Sequence, residues 1–194
     1  AMKDTLHMIL ALTLISGAAG YLLAMTNAVT REPIARSQRA ETLDAMRRVL
    51  PPCDNDPSAT TCTVHEAGAA WTFYVARREG AYVGAAFEAA SVQGYSGRIR
   101  ILAGVRADDT LQGLEILEQA ETPGLGAKIG EPAFLGQFAN RPVAGTRWAV
   151  RKDGGEIEAI TGATISPRAV VAALQQGLEV YTRHKSTIAA AGTP

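Results

Sequence analysis

With 194 residues, 19 basic and 19 acidic side chains and a formal net charge of zero, the chain has room for one compact domain plus an anchor. The balance excludes a binder of nucleic-acid backbones, which would show clustered Lys and Arg with interleaved aromatics. Hydrophobic residues make up 47% of the chain, and their uneven distribution organises the rest of the reading.

From Met8 to Met25 there is no charged residue. With its polar flanks the stretch reaches the roughly 20 residues that a helix needs to cross hydrocarbon, so residues 1–30 read as a transmembrane anchor. The rival is a cleaved signal peptide, whose apolar core is usually about 7–15 residues long and followed by a small-residue cleavage site. Small residues from Ser16 to Gly20 suit the close approach of a neighbouring helix. Lys3 precedes the span, and Arg31, Arg36, Arg39, Arg47 and Arg48 follow it. A positive-inside count therefore places the following domain in the cytoplasm. The cysteines argue the opposite way. Cys53 and Cys62 bracket a polar loop, the pattern of a disulfide staple in an oxidising compartment, with two separate free thiols as the other reading. His7, His65 and His184 are too dispersed for a zinc site.

Residues 31–68 read as a stalk helix and the disulfide loop. Glu32-Pro33 breaks the first helix, and Ile34 to Leu50 forms a second, with Leu43, Met46 and Leu50 on one face. Pro51-Pro52 ends it, and Cys53 to Gly68 reads as irregular. Residues 69–194 carry the folded domain. Trp71 to Arg77 and Ala81 to Ala89 flank a turn at Glu79-Gly80. Ile99, Ile101, Ala103 and Val105 alternate with polar or small residues in the clearest strand pattern of the chain. A further strand spans Leu111 to Gln119, a short helix opened by Pro132 covers Glu131 to Ala139, and two short strands are predicted at Trp148 to Lys152 and Ile157 to Ile160. The last helix has Val170, Ala173, Leu174, Gly177, Leu178 and Tyr181 on one face, with Ser166 as N-cap, Pro167 in its first turn and Arg183, His184 and Lys185 near its negative end. The fold class is α+β: an antiparallel sheet packed with helices.

No phosphate-binding P-loop, dinucleotide fingerprint or nucleophile elbow is present in the sequence. Three glycine-containing loops stand out instead. They are Gly94-Tyr95-Ser96-Gly97; Glu121-Thr122-Pro123-Gly124-Leu125-Gly126, followed by Lys128; and Thr161-Gly162-Ala163-Thr164 ahead of the last helix. Pro123-Gly124 favours a type II turn, which leaves backbone N–H groups free to face a ligand. The third loop lies where a helix start best holds an anionic phosphate.

The Glu-Thr-Pro-Gly-Leu-Gly and Thr-Gly-Ala-Thr motifs, the single span, the stalk and the Gly-Tyr-Ser-Gly loop together resemble the FMN-binding domain of the RnfG and NqrC family, across nearly the whole chain. The resemblance implies FMN bound covalently through a phosphoester to Thr164 and installed by a flavin transferase. Here the motif reads Glu158 to Thr164, with Glu at a position usually held by Asp. It also implies cofactor contacts from Thr161, Gly162, Ala163, Ser166, Glu121, Thr122, Gly124, Leu125, Gly126 and Lys128, with Tyr95 beside the flavin. The function implied is an electron-relay subunit of a membrane-bound ion-translocating ferredoxin:NAD oxidoreductase, the Rnf complex, with a complete active site only in the assembly. Other integral membrane subunits are its partners, and the domain sits on the periplasmic side of the bacterial inner membrane. The corresponding subunit of the sodium-translocating quinone reductase and a non-redox extracytoplasmic binding module are the alternatives.

Overall fold

The computed structural model describes residues 2–66 and 68–192; Ala1, Ala67, Thr193, Pro194 and the side chains of Met2, Ala35, Gln38 and Arg39 lie outside the described residues. The chain forms two compact units, one ending at Glu41 and the other beginning at Thr42. Helix α1 spans Met2–Val49. Its segment Lys3–Ile34 is long and apolar enough to cross a membrane, and its most apolar part is entirely unburied. The expected break at Glu32-Pro33 is absent, because Pro33 lies inside α1. A proline removes one backbone N–H from the helix ladder but not the bonds on either side. The Glu32–Arg36 ion pair, at 2.6 Å, also straddles the site.

The second unit is built on a six-stranded antiparallel meander in simple sequence order. Its strands are β1 (Thr61–Glu66), β2 (Ala69–Arg78), β3 (Ala81–Ser91), β4 (Ile99–Arg106), β5 (Thr110–Glu118) and β6 (Arg141–Pro142). Period-2 alternation gives the sheet two apolar faces. Phe73, Val75, Ala85, Phe87, Ile99, Ile101, Ala103 and Val105 belong to one buried cluster. Ala76, Ala86 and Leu102 belong to a second, with Ala45, Met46, Val49 and Leu50 from the end of α1. Gly104 makes that second contact possible, since a Cβ there would lie 1.8 Å from the Val49 carbonyl oxygen.

The first face is covered by α3 (Ile165–Ala190), whose Val170, Ala173, Leu174, Gly177, Leu178 and Tyr181 are all buried, as their spacing predicts. Helix α3 runs beyond the basic cluster that was expected at its end. Arg183 and His184 instead pair with Glu66 on β1, and Lys185 with Asp109. The C-terminal carbonyls of α3, at Ala189 and Ala191, accept hydrogen bonds from the Arg77 guanidinium of β2. Orphan helix carbonyls need such donors, so Arg77 ties sheet and helix together.

Four further expectations are corrected. The segment expected to be irregular contains β1, which pairs with β2 from Thr61↔Tyr74 to Glu66↔Ala69. The two strands expected around Asp153-Gly154-Gly155 reduce to a single bridge, Val150↔Ile157, around a 3-10 turn at Arg151–Asp153. Gly155 packs so closely on Ala149 that a Cβ would sit 2.0 Å from its carbonyl oxygen. Helix α2 covers only Pro132–Leu135, because the chain turns on through Asn140 at φ 60° into β6. Finally, Cys53 and Cys62 are free thiols rather than a disulfide. Cys53 packs with the α1-side cluster and Cys62 with the α3-side cluster, so the sheet lies between them. Burial raises both thiol pKa values, with Asp54 and Asp56 adding to the shift at Cys53.

Candidate functional site

The three glycine loops converge. A cavity of about 350 Å³ is lined by Tyr95 from the first, Glu121, Thr122, Leu125 and Gly126 from the second, and Gly162, Ala163, Thr164, Ile165 and Ser166 from the third and the start of α3. Two turns of the same kind form its opposite walls. Leu125 N–H donates to the Thr122 carbonyl at 3.1 Å with Gly124 at φ 75°, the type II turn expected from Pro123-Gly124. Ala163 N–H donates to the Ile160 carbonyl at 3.0 Å with Gly162 at φ 80°, which repeats the geometry. Both turns need a left-handed residue, and glycine supplies it without a Cβ penalty.

A buried carboxylate pins the loops together. Glu121 is 4% exposed. Its Oε1 accepts the Ser96 N–H at 3.0 Å and its Oε2 accepts the Ser166 hydroxyl at 2.5 Å, so one side chain joins all three loops. Gly94 and Gly126 press against the same carboxylate: a Cβ on either would lie 2.8 or 2.7 Å from one of its oxygens.

At the mouth stands Thr164. It is itself the N-cap of α3, with φ −84° and ψ −24°, and makes no side-chain capping bond. The expected N-cap, Ser166, is instead the buried second residue of the helix and spends its hydroxyl on Glu121. The Thr164 hydroxyl is therefore not consumed by the helix, and the N–H groups of the first turn stay available to an anion. Lys152 Nζ donates to Thr164 Oγ1 at 3.2 Å. No sequence pattern pointed to Lys152, because the turn that delivers it was read as a strand. Beyond α1, the exposed large apolar side chains among the described residues are Val92, Tyr95, Leu125 and Ile165. The last three line this cavity.

Not every expected residue faces it. Thr161 and Gly124 are turn residues outside the lining, and Lys128 borders a separate recess with Glu131, Phe134 and Glu158. The acidic motif residue, Glu158, pairs with Arg151 at 2.9 Å. The segment from Glu131 to Ile165 brings these loops to the site while Phe134, Phe138, Val150 and Ile157 bury their side chains in the core.

Comparison with known proteins places this geometry. The family model for the FMN-binding domain matches residues 94–179, which contain all three loops and most of α3. The RnfG protein of the ion-translocating oxidoreductase complex of Cereibacter sphaeroides is 40% identical over 189 residues, covering 93% of this chain and 86% of that protein. Its counterpart in Aliivibrio fischeri is 37% identical over 192 residues, covering 92% and 91%. Among solved structures, the NqrC protein of the Na(+)-translocating NADH-quinone reductase from Parabacteroides distasonis is similar with a TM-score of 0.50 and 26% identity, over 59% of this chain and 62% of that one. A flavin-binding module with a helix-start threonine at its mouth, and relatives of one kind that match along most of their length, lead to a single assignment: the chain belongs to the RnfG family of the ion-translocating oxidoreductase complexes and contains its FMN-binding domain.

Proposed function

We propose that this chain is the electron-relay subunit of a membrane-bound ion-translocating ferredoxin:NAD oxidoreductase, with FMN esterified through its phosphate to Thr164. The observation that carries the reading is the position of the Thr164 hydroxyl. It is unused by the helix and stands at the mouth of the cavity where the three loops meet. The residues present fit such a group. The free first-turn N–H groups of α3 and Lys152 suit the phosphate, and the apolar side chains of Tyr95, Leu125 and Ile165 suit a flat aromatic ring. Thr122, Gly126, Gly162 and Ala163 supply the close backbone approach, and Glu121 with Ser166 holds the walls.

FMN in such a site supplies the electron-accepting and electron-donating chemistry, and the protein's part is to hold it and tune it. The buried Glu121 carboxylate lines the cavity, and a flavin held there would feel its charge, which would disfavour adding electrons. An ester tether keeps the cofactor from diffusing away. A flavin transferase would make the ester by passing the flavin phosphoryl group from a flavin dinucleotide to Thr164 Oγ1, with the pyrophosphate bond breaking, a nucleoside monophosphate leaving and the hydroxyl proton going to solvent. The exposed Thr161-Gly162 turn leaves Thr164 accessible for this. Donor and acceptor reside on other integral membrane subunits, and the apolar helix anchors this one beside them. The domain organisation follows as an anchor over residues 1–30, a connecting segment that begins at residue 31, and the flavin domain, whose sheet takes in β1 at Thr61–Glu66. RnfG relatives that match along nearly the whole chain favour this reading over the quinone-reductase protein NqrC, whose likeness covers 59% of it.

Thr164→Ala tests the proposal. The full chain, made in cells that flavinylate it, fluoresces as a denatured band in a gel. The variant has lost that fluorescence and keeps the wild-type circular dichroism. A variant that keeps its covalent flavin places the ester elsewhere.

A further inference from the structure

Of the segment Arg151-Lys152-Asp153 only Lys152 enters the reading above, as a charge suited to phosphate, yet the geometry of the whole turn is that of a clasp. Each of its residues reaches a different part of the Thr164 segment. Arg151 pairs with Glu158 at 2.9 Å, ahead of the motif. Asp153 accepts from two nitrogens of the Arg168 guanidinium, Nε and Nη2, in the first turn of α3, at 2.7 and 2.6 Å. Lys152, between them, points its ammonium at Thr164 Oγ1, 3.2 Å away. The three residues form one 3-10 turn closed by Gly154 at φ 80°, and Arg151 N–H bonds the Ile157 carbonyl at 2.8 Å. The outer pairs thus fix the turn on either flank of the acceptor threonine and leave the middle side chain one target.

From this juxtaposition we propose that Lys152 is the cationic partner of the phosphodiester on Thr164 and positions that threonine before the ester exists. The proposal rests on the flavin ester at Thr164. Once Oγ1 carries phosphorus, the diester has one negative charge on two free oxygens bonded to the same phosphorus, within reach of an ammonium already 3.2 Å from Oγ1. A cation that approaches an oxyanion in this way makes a charge-assisted hydrogen bond, about twice as strong as a neutral one. Before esterification, the same ammonium donates to Oγ1 and holds the hydroxyl in one rotamer, with its lone pair and proton free towards solvent. The bidentate Asp153–Arg168 pair explains why the lysine does not simply turn to the nearest carboxylate: Asp153 is already engaged on both oxygens. Lysine suits the task because its charge is compact and needs no planar partner.

The test uses the full chain expressed with its complex and transferase, comparing wild type with Lys152→Met, which keeps most of the aliphatic stem, and Lys152→Arg, which keeps the charge. Three quantities are read: the initial rate at which covalent flavin fluorescence appears after induction, the 31P resonance of the flavinylated protein, and the melting temperature. Lys152→Met is expected to slow flavinylation about tenfold, the scale of one lost charge-assisted hydrogen bond. It should also move the 31P resonance at unchanged melting temperature, with Lys152→Arg recovering most of the rate. Wild-type rate and an unmoved 31P resonance in Lys152→Met would overturn the proposal and leave the ester at Thr164 intact. If wild type itself carries no covalent flavin, the underlying reading fails, and this inference with it.

Discussion

At the scale of single residues, Glu121 decides whether three loops are one site. Its two oxygens satisfy the Ser96 N–H and the Ser166 hydroxyl in a buried position. Glu121→Ala therefore orphans two donors, at about 1–3 kcal/mol each when a buried partner is removed. The expected loss of roughly 2 kcal/mol or more corresponds to a melting temperature about 4–8 °C lower for a domain of this size, measurable by differential scanning fluorimetry. Glu121→Gln keeps one acceptor oxygen for Ser96 and is expected to lose less. Equal melting temperatures for all three proteins would mean that the loops are held by other contacts. Glu121, Ser166 and Thr164 were all legible in the sequence as members of motifs, but their division of labour was not. Ser166 looked like the helix cap because serine before proline is a common cap, and only the tertiary contact with Glu121 shows that its hydroxyl is used elsewhere.

At the scale of elements, α3 and the sheet are joined by a hydroxyl pair in an otherwise apolar seam. Tyr82 on β3 and Tyr181 on α3 lie 3.1 Å apart between their hydroxyl oxygens, and the Tyr181 hydroxyl reaches Asp109 at 3.4 Å. Burial, which disfavours the phenolate, pushes Tyr82 up to about 12 and also raises Tyr181. A group whose folded pKa is raised stabilises fully below its unfolded value and less as pH climbs towards the folded one. Between pH 10 and 12 the unfolded chain has released this proton and the folded one has not, so stability falls, by up to about 1.4 kcal/mol per pH unit for Tyr82. Urea melts of wild type and Tyr82→Phe across that window should show a shallower loss with rising pH for the variant. A wild-type curve flat to pH 12 would contradict the assignment. The helix face containing Tyr181 and the strand alternation of β4 were legible because each has an unbroken period. The Arg151–Asp153 turn was not, because Val150 and Ile157 look like strand residues, whereas Gly154 at φ 80° closes a 3-10 turn between them. Likewise β1 was hidden because its apolar alternation is only Cys62 and Val64 among threonines, and it is defined by its pairing with β2.

At the scale of the whole molecule, we propose that the flavin domain lies on the periplasmic side, a placement that charge alone argues against. The arginines after the apolar segment favour the cytoplasm, whereas membership of a complex lets neighbouring helices set the orientation. A reporter that is active only in the cytoplasm, fused after Pro194, is expected to stay silent when the whole complex is expressed. Reporter activity would place the flavin domain on the cytoplasmic side. The two thiols pack against different clusters of the sheet and meet different surroundings. Burial raises the pKa of each, while the carboxylates of Asp54 and Asp56 act on Cys53 alone, so alkylation of the folded domain across a range of pH is expected to tell the two sulfurs apart.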